Sequence, residues 1–161
     1  LLKGKSRMPI AIMAMGIVFN VLNGMMQAGG LFYFAPEGLY ADGWAYLLKP
    51  HALLGIILFF AGMFVNLHSD YVIRHLRRPG DTKHYLPGKG LYRYVTSANY
   101  FGELVEWTGF AILTASPAAW VFVWWTFANL VPRADAIHRR YREEFGDEAV
   151  GKRKRIIPFL Y

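Results

Sequence analysis

The sequence predicts an all-α fold, a polytopic membrane bundle with four transmembrane helices. Three observations carry this: long apolar stretches without charge, basic residues confined between them, and polar residues recurring at helical spacing where two of the stretches end or begin. Of 161 residues, 55% are hydrophobic and 17% aromatic, which is too apolar for an ordinary soluble domain of this size. There is no cysteine, so disulfides and thiolate metal sites do not arise. A net charge of +7 suits a nucleic-acid binder only when it is spread over a water-exposed face. Here it sits in short segments between apolar runs, so nucleic acid is not an expected partner. The chain has neither an initiator Met nor a signal peptide with a cleavage site, and reads as starting in the middle of a longer protein.

The first 29 uncharged residues, 8–36, exceed the ~20 needed to cross a bilayer core. The following loop, 37–49, carries Glu37, Asp42 and Lys49, and is surrounded by Phe32, Tyr33, Phe34, Tyr40, Trp44 and Tyr46, the composition of an interfacial belt. A second uncharged run of 20 residues covers 50–69. Next comes a segment rich in Gly, Pro and Arg over 75–95, with Arg77-Arg78-Pro79-Gly80 and Leu86-Pro87-Gly88-Lys89-Gly90, which predicts a shaped loop rather than a helix. The 39 residues of 94–132 hold only Glu103 and Glu106 as charges and suffice for two crossings joined by a turn at Ser116 and Pro117.

Beyond that, 133–145 is helix-compatible and amphipathic, with Arg133, Arg140, Tyr141 and Glu144 on one face. Lys152-Arg153-Lys154-Arg155, followed by Ile156-Ile157-Pro158-Phe159, reads as a basic stop against lipid headgroups. Four spans place Lys3, Lys5, Arg7, the middle loop and the tail on one side, together 17 of the 18 basic residues. The positive-inside rule makes that side cytoplasmic. The expectation is a single membrane domain over 1–161, with a cofactor-binding loop at about 74–97 and a cytoplasmic tail at 133–161.

Asn66, Asp70, Arg74 and Arg77 close the second apolar run, and Asn99, Glu103, Glu106 and Trp107 open the third. At about 100° per residue each set spans an arc of roughly 100°, so two apolar helices each turn one polar face to a shared interior. Ionisable groups at membrane depth are costly and mark function. Arg74, Arg77, Arg78, Lys83, Lys89, Arg93 and Arg133 can surround phosphates, while Asn66, Asp70, Asn99 and Glu103 supply partners for ribose hydroxyls or a carboxamide. That combination suits a dinucleotide phosphate. Topology and headgroups also account for single arginines, helix tying for the glutamates, and packing for Trp107. No GxGxxG follows a strand and no HExxH is present, so neither a Rossmann fold nor a metal site is expected. His68 caps or packs at the span end, and His138 lies near the cofactor or faces water.

At these residues the chain resembles the C-terminal part of the steroid 5-alpha-reductase (3-oxo-5-alpha-steroid 4-dehydrogenase) family. The resemblance rests on Gly62-Met63-Phe64-Val65-Asn66-Leu67-His68-Ser69-Asp70-Tyr71, on Arg74 with Leu76-Arg77-Arg78-Pro79-Gly80, and on Pro87-Gly88-Lys89-Gly90-Leu91-Tyr92-Arg93-Tyr94-Val95. It continues through Ser97-Ala98-Asn99-Tyr100-Phe101-Gly102-Glu103-Leu104-Val105-Glu106-Trp107 and Arg153-Lys154-Arg155-Ile156-Ile157-Pro158-Phe159. It implies the last four helices of a seven-helix membrane enzyme that reduces the delta-4 double bond of 3-oxo steroids such as testosterone and progesterone. NADPH is the implied cofactor, reached from the cytoplasm, with the steroid arriving from the bilayer. The positions that match cofactor contacts are Asn66, Asp70, Arg77, Asn99, Glu103, Trp107, Arg133 and Tyr141, with Arg74, Tyr85, His138 and Arg153 matching more weakly. Where the family often has adjacent histidines, this chain has Ile137 before His138.

The resemblance also implies three further helices upstream of Leu1, with the Glu and Tyr that hydrogen-bond the substrate ketone, so the catalytic donors are not among these residues. The implied setting is an integral, multi-pass protein of a bacterial inner membrane or the endoplasmic reticulum. Alternatives are a related reductase of enoyl-CoA, polyprenoid or sterol double bonds, an isoprenylcysteine-type methyltransferase with Arg142-Glu143-Glu144 in its tail, and a non-enzymatic lipid-binding or assembly subunit.

Overall fold

A computed structural model describes residues 9–77, 80–81 and 83–161. Lys3, Lys5, Arg7, Arg78 and Pro79 lie outside the described residues. Five helices follow in order: α1 (Ile10–Phe32), α2 (Pro50–Arg74), α3 (Ala98–Thr114), α4 (Pro117–Phe145) and the short α5 (Asp147–Val150), with 3-10 turns at Gly43–Leu48 and Gly90–Arg93. Among the described residues the only extended pairing is one parallel bridge, Val95 with Lys154. The chain is thus all-helical, as its apolar periodicity predicts.

α1 and α2 are each long and apolar enough to cross a membrane. Their large side chains face outward: Ile10, Met15, Leu22 and Met25 on α1, and Ile57, Phe64 and Leu67 on α2, are all exposed. A soluble fold buries such residues, so this exposure belongs to helices whose surroundings are lipid.

The central contact is antiparallel α2 on α3, and glycine makes it possible. Gly55 and Gly62 on α2 meet Gly109 and Gly102 on α3. A Cβ on Gly62 would stand 2.2 Å from the Glu106 amide nitrogen, and one on Gly109 would stand 2.3 Å from that of Phe59. The backbones therefore touch directly, which is how helices associate where burial of apolar surface supplies no drive. Fully buried Ala52 and Ala98 and nearly buried Ser69 extend the same small-residue seam.

α3 turns into α4 through Ala115 in the left-handed region, with Ser116 at the position before the helix and Pro117 at the first helical position. The outer loop folds back onto this corner. The Tyr40 and Tyr46 hydroxyls donate to the carbonyls of Thr114 and Leu113, satisfying the open C-terminal end of α3. Of the aromatics expected at the interface, Phe32, Tyr33, Phe34 and Trp44 are exposed, whereas Tyr46 is buried by this capping duty.

α4 continues through Pro132 as one helix of 29 residues, so the amphipathic tail segment extends the helix instead of starting a new one. The basic tail is anchored through its main chain and through Ile156, while Lys152, Phe159 and Leu160 stay exposed. Lys154 N–H donates to Tyr94 O (2.8 Å), Thr96 N–H to Lys154 O (2.9 Å), and Ile156 is fully buried against Leu104, Leu130 and Ala134. Arg155 donates to Asp135 at 2.6 Å, fastening the tail to α4.

Gly62→Ala is expected to cost about 1–3 kcal/mol by forcing the two backbones apart. Gly24→Ala, at a position with nothing within 4 Å of the added carbon, is expected to be neutral or stabilising. Thermal unfolding of both variants in neutral detergent checks the pair.

Candidate functional site

Close contact of α2 with α3 sets the polar ends of both helices beside the C-terminal half of α4. Arg74 and Arg77 from the end of α2, Tyr85 from the loop and Tyr141 from α4 line one groove of about 400 Å³, together with His84, Arg140 and Glu144. Arg74 approaches Asp70 at 3.6 Å one helical turn away, a loose and exposed pair that leaves both groups able to serve a ligand. His84 Nδ1 lies 2.7 Å from Glu144 Oε1, with Arg140 Nε 3.8 Å from the other carboxylate oxygen, so the loop is tied to α4 across this groove. Tyr85 donates to Asp81 at 2.7 Å. That bond lowers the Asp81 pKa and raises that of the Tyr85 phenol.

Behind the groove, Tyr92 is buried and its hydroxyl donates to Asn99 Oδ1 at 3.3 Å. Burial pushes the Tyr92 phenol well above its usual range, with Tyr141 and Asp70 close enough to add to the effect. The Tyr141 phenol is raised as well, chiefly by burial. Both therefore remain neutral hydrogen-bond donors at any physiological pH.

Further along α3, Glu103 lies within electrostatic reach of Glu106, Arg133 and Asp70 and faces the Trp107 indole. Glu106 faces the Asn66 amide across the glycine seam. Glu103 and Arg133 share a second cavity of about 380 Å³ between α1, α3 and α4, whose other walls include Phe19, Phe122, Trp125, Thr126 and Asn129. Trp107 packs edge-on to Phe122 at 4.7 Å. The polar track thus runs from a cationic groove, past neutral phenols and acceptors, to an acid beside an apolar cavity.

Two candidates sit apart from this track. His138 is buried with Nδ1 3.3 Å from Thr96 Oγ1, on the face of α4 that receives the tail. Arg153 donates to Pro87 O at 2.9 Å, holding the loop to the tail. Sequence reading did not single out His84, which has no periodicity to reveal it, or Tyr92, whose burial depends on the folded loop. Arg140 and Glu144 were visible as members of an amphipathic face, not as partners of the loop.

A family model described as 3-oxo-5-alpha-steroid 4-dehydrogenase matches residues 6–161. The chain belongs to this family. It is 42% identical to 3-oxo-5-alpha-steroid 4-dehydrogenase 1 of Homo sapiens over 161 residues, covering 100% of this chain and 60% of that protein. It is 39% identical to 3-oxo-5-alpha-steroid 4-dehydrogenase 2 of Homo sapiens, covering 95% of this chain and 58% of that one. With Steroid 5-alpha-reductase DET2 of Arabidopsis thaliana the identity is 36%, covering 98% and 59%. The chain thus spans about 60% of the length of the steroid dehydrogenases it matches.

Burial lowers the His138 pKa, with Arg155 and Arg142 adding to the effect, so the fold holds the neutral ring. Its contribution to stability is complete above the ordinary value of about 6.5 and is lost as pH falls below that toward the folded-state value. The unfolding midpoint is expected to drop from pH 7.5 to 5.5, and His138→Gln to flatten that slope.

Proposed function

We propose that this chain forms the cofactor-holding part of an NADPH-dependent reductase acting on the delta-4 double bond of 3-oxo steroids of the testosterone and progesterone type. The observation that supports it most is the union of a cation-lined groove with a polar face reaching an apolar cavity, in a member of this dehydrogenase family. In this reading α3 and the apolar part of α4 also cross the bilayer, which makes four spans with both grooves opening toward the cytoplasmic side.

The donor set fits a dinucleotide phosphate. Arg74 and Arg77 present forked guanidiniums for phosphate oxygens, and Tyr85 and Tyr141 add neutral donors beside them. Asp70 accepts from ribose hydroxyls, while Asn99 and Asn66 offer the mixed donor and acceptor pattern that a carboxamide needs. Glu103 and Arg133 stand where that track meets the apolar cavity, and Trp107 with Phe122 keeps water from its wall. His138 and Arg153 act indirectly, holding the tail and the loop that carry the groove.

When bound, the reduced nicotinamide would supply a hydride to the beta carbon of the enone, and a proton would add at the alpha carbon to complete the reduction. As the hydride arrives, negative charge builds on the 3-oxo oxygen, and placed donors there lower the barrier. We assign that role to none of the residues of this track, and the route of the steroid to the bilayer. The cavity walls Phe19, Phe122 and Trp125 give an apolar substrate contact surface on this side.

The intact protein in detergent, given NADPH and testosterone or progesterone, is expected to form the 5-alpha-dihydro product, followed by mass spectrometry. Folded protein that forms none contradicts the proposal, and a parallel panel with enoyl-CoA and polyprenoid substrates identifies the related chemistry. Arg77→Ala is expected to raise the KM for NADPH at least tenfold with a smaller change in kcat, as removal of a binding contact remote from the reacting atoms does.

A further inference from the structure

Six lysines and arginines of the described residues are in ion pairs, Lys49 with Asp42 among them. Arg74, Arg139, Arg140, Arg142 and Arg155 each face a carboxylate within ion-pair distance. Arg93, Lys152 and Lys154 face none among the described residues, and all three line a single cavity of about 530 Å³ between the Gly90–Arg93 turn and the segment after α5. Arg153 completes its basic lining while committing a guanidinium N–H to Pro87 O. Like charges lining one cavity repel one another, and no carboxylate of the described residues forms an ion pair with these three.

The cavity is held in shape by its backbone. Lys154 pairs through main-chain bonds with Tyr94 and Thr96 on one side. On the other, Gly151 closes α5 with φ +61° and its N–H bonded to Asp147 O at 2.8 Å. None of its lining residues belongs to the groove that contains Arg74 and Arg77.

Its rim is apolar and unburied. Phe159 is 79% exposed and Leu160 74% exposed, and the Phe159 ring lies 5.2 Å from the half-exposed Tyr94. Accessible cations beside protruding aromatic and aliphatic side chains are the arrangement that meets a charged headgroup and the acyl boundary beneath it. A soluble phosphate would engage the cations alone and leave Phe159 and Leu160 without a role.

We propose that this cavity binds the headgroup of an anionic glycerophospholipid, with Arg93, Lys152 and Lys154 on its phosphate and Phe159 and Leu160 in the acyl boundary. Bound there, the lipid would seat the loop and tail against the membrane surface.

The intact protein is titrated in phosphatidylcholine micelles with phosphatidylglycerol, with more phosphatidylcholine, or with inorganic phosphate, and thermal unfolding is read. A saturable rise in midpoint with phosphatidylglycerol alone is expected. An equal rise with inorganic phosphate, or none with phosphatidylglycerol, overturns the proposal, and neither result depends on a variant folding. Neutralising Arg93, Lys152 and Lys154 to Gln is expected to weaken phosphatidylglycerol binding on the order of a hundredfold, about fivefold per cation. The control Lys89→Gln, outside the cavity, should retain it. Undiminished binding by the triple variant also overturns the assignment.

Discussion

Direct contact between the backbones of α2 and α3 is the constraint on which the other features depend. Gly55, Gly62, Gly102 and Gly109 leave no room for a Cβ, so the two helix axes approach as closely as main chains allow. The spacing of seven residues on each helix keeps the seam on one side along its length. Any larger side chain there would separate Asn66 from Glu106 and Asp70 from Glu103, and the shared polar face would become two unrelated ones.

That seam explains why acidic and amide groups persist on helices otherwise suited to lipid. Glu103 has Trp107 and Arg133 beside it and Glu106 has Asn66, so neither acid stands without a polar neighbour. The second fastening is the tail. Asp135 holds Arg155 at 2.6 Å and Arg139 at 2.7 Å, Ile156 fills the space between α3 and α4, and Arg153 holds the loop at Pro87. The Arg155 hydrogen bond keeps the Asp135 carboxyl below its usual range, so this latch persists above the ordinary carboxylate range and releases only as pH falls through that lowered value. The groove containing Arg77 and Tyr85 is thus framed by elements far apart in sequence.

The sequence revealed most about elements governed by local rules. Apolar run lengths marked α1 and α2, Ser116-Pro117 marked the α3 to α4 corner, and Gly and Pro marked the loop around Gly90. The polar face of α3 was legible because a 3.6-residue period survives any tertiary arrangement. What escaped was what depends on long-range pairing. Pro132 looked like a boundary, yet packing of Leu130 and Ala134 on either side carries the helix through it. The basic tail looked like surface alone, yet main-chain bonds to Tyr94 and Thr96 also anchor it. His84 gave no signal, since only the folded loop brings it to Glu144. The glycine pairs spaced by seven were present in the sequence, but their meaning depends on knowing which helix lies opposite.

The most direct measurement is calorimetric titration of NADPH into the intact, folded protein in neutral detergent. One saturable site whose heat disappears in Asp70→Ala is the result expected if the α2 and α3 faces grip a single dinucleotide. Absence of heat and of saturation, with folding verified in the same sample, would contradict it.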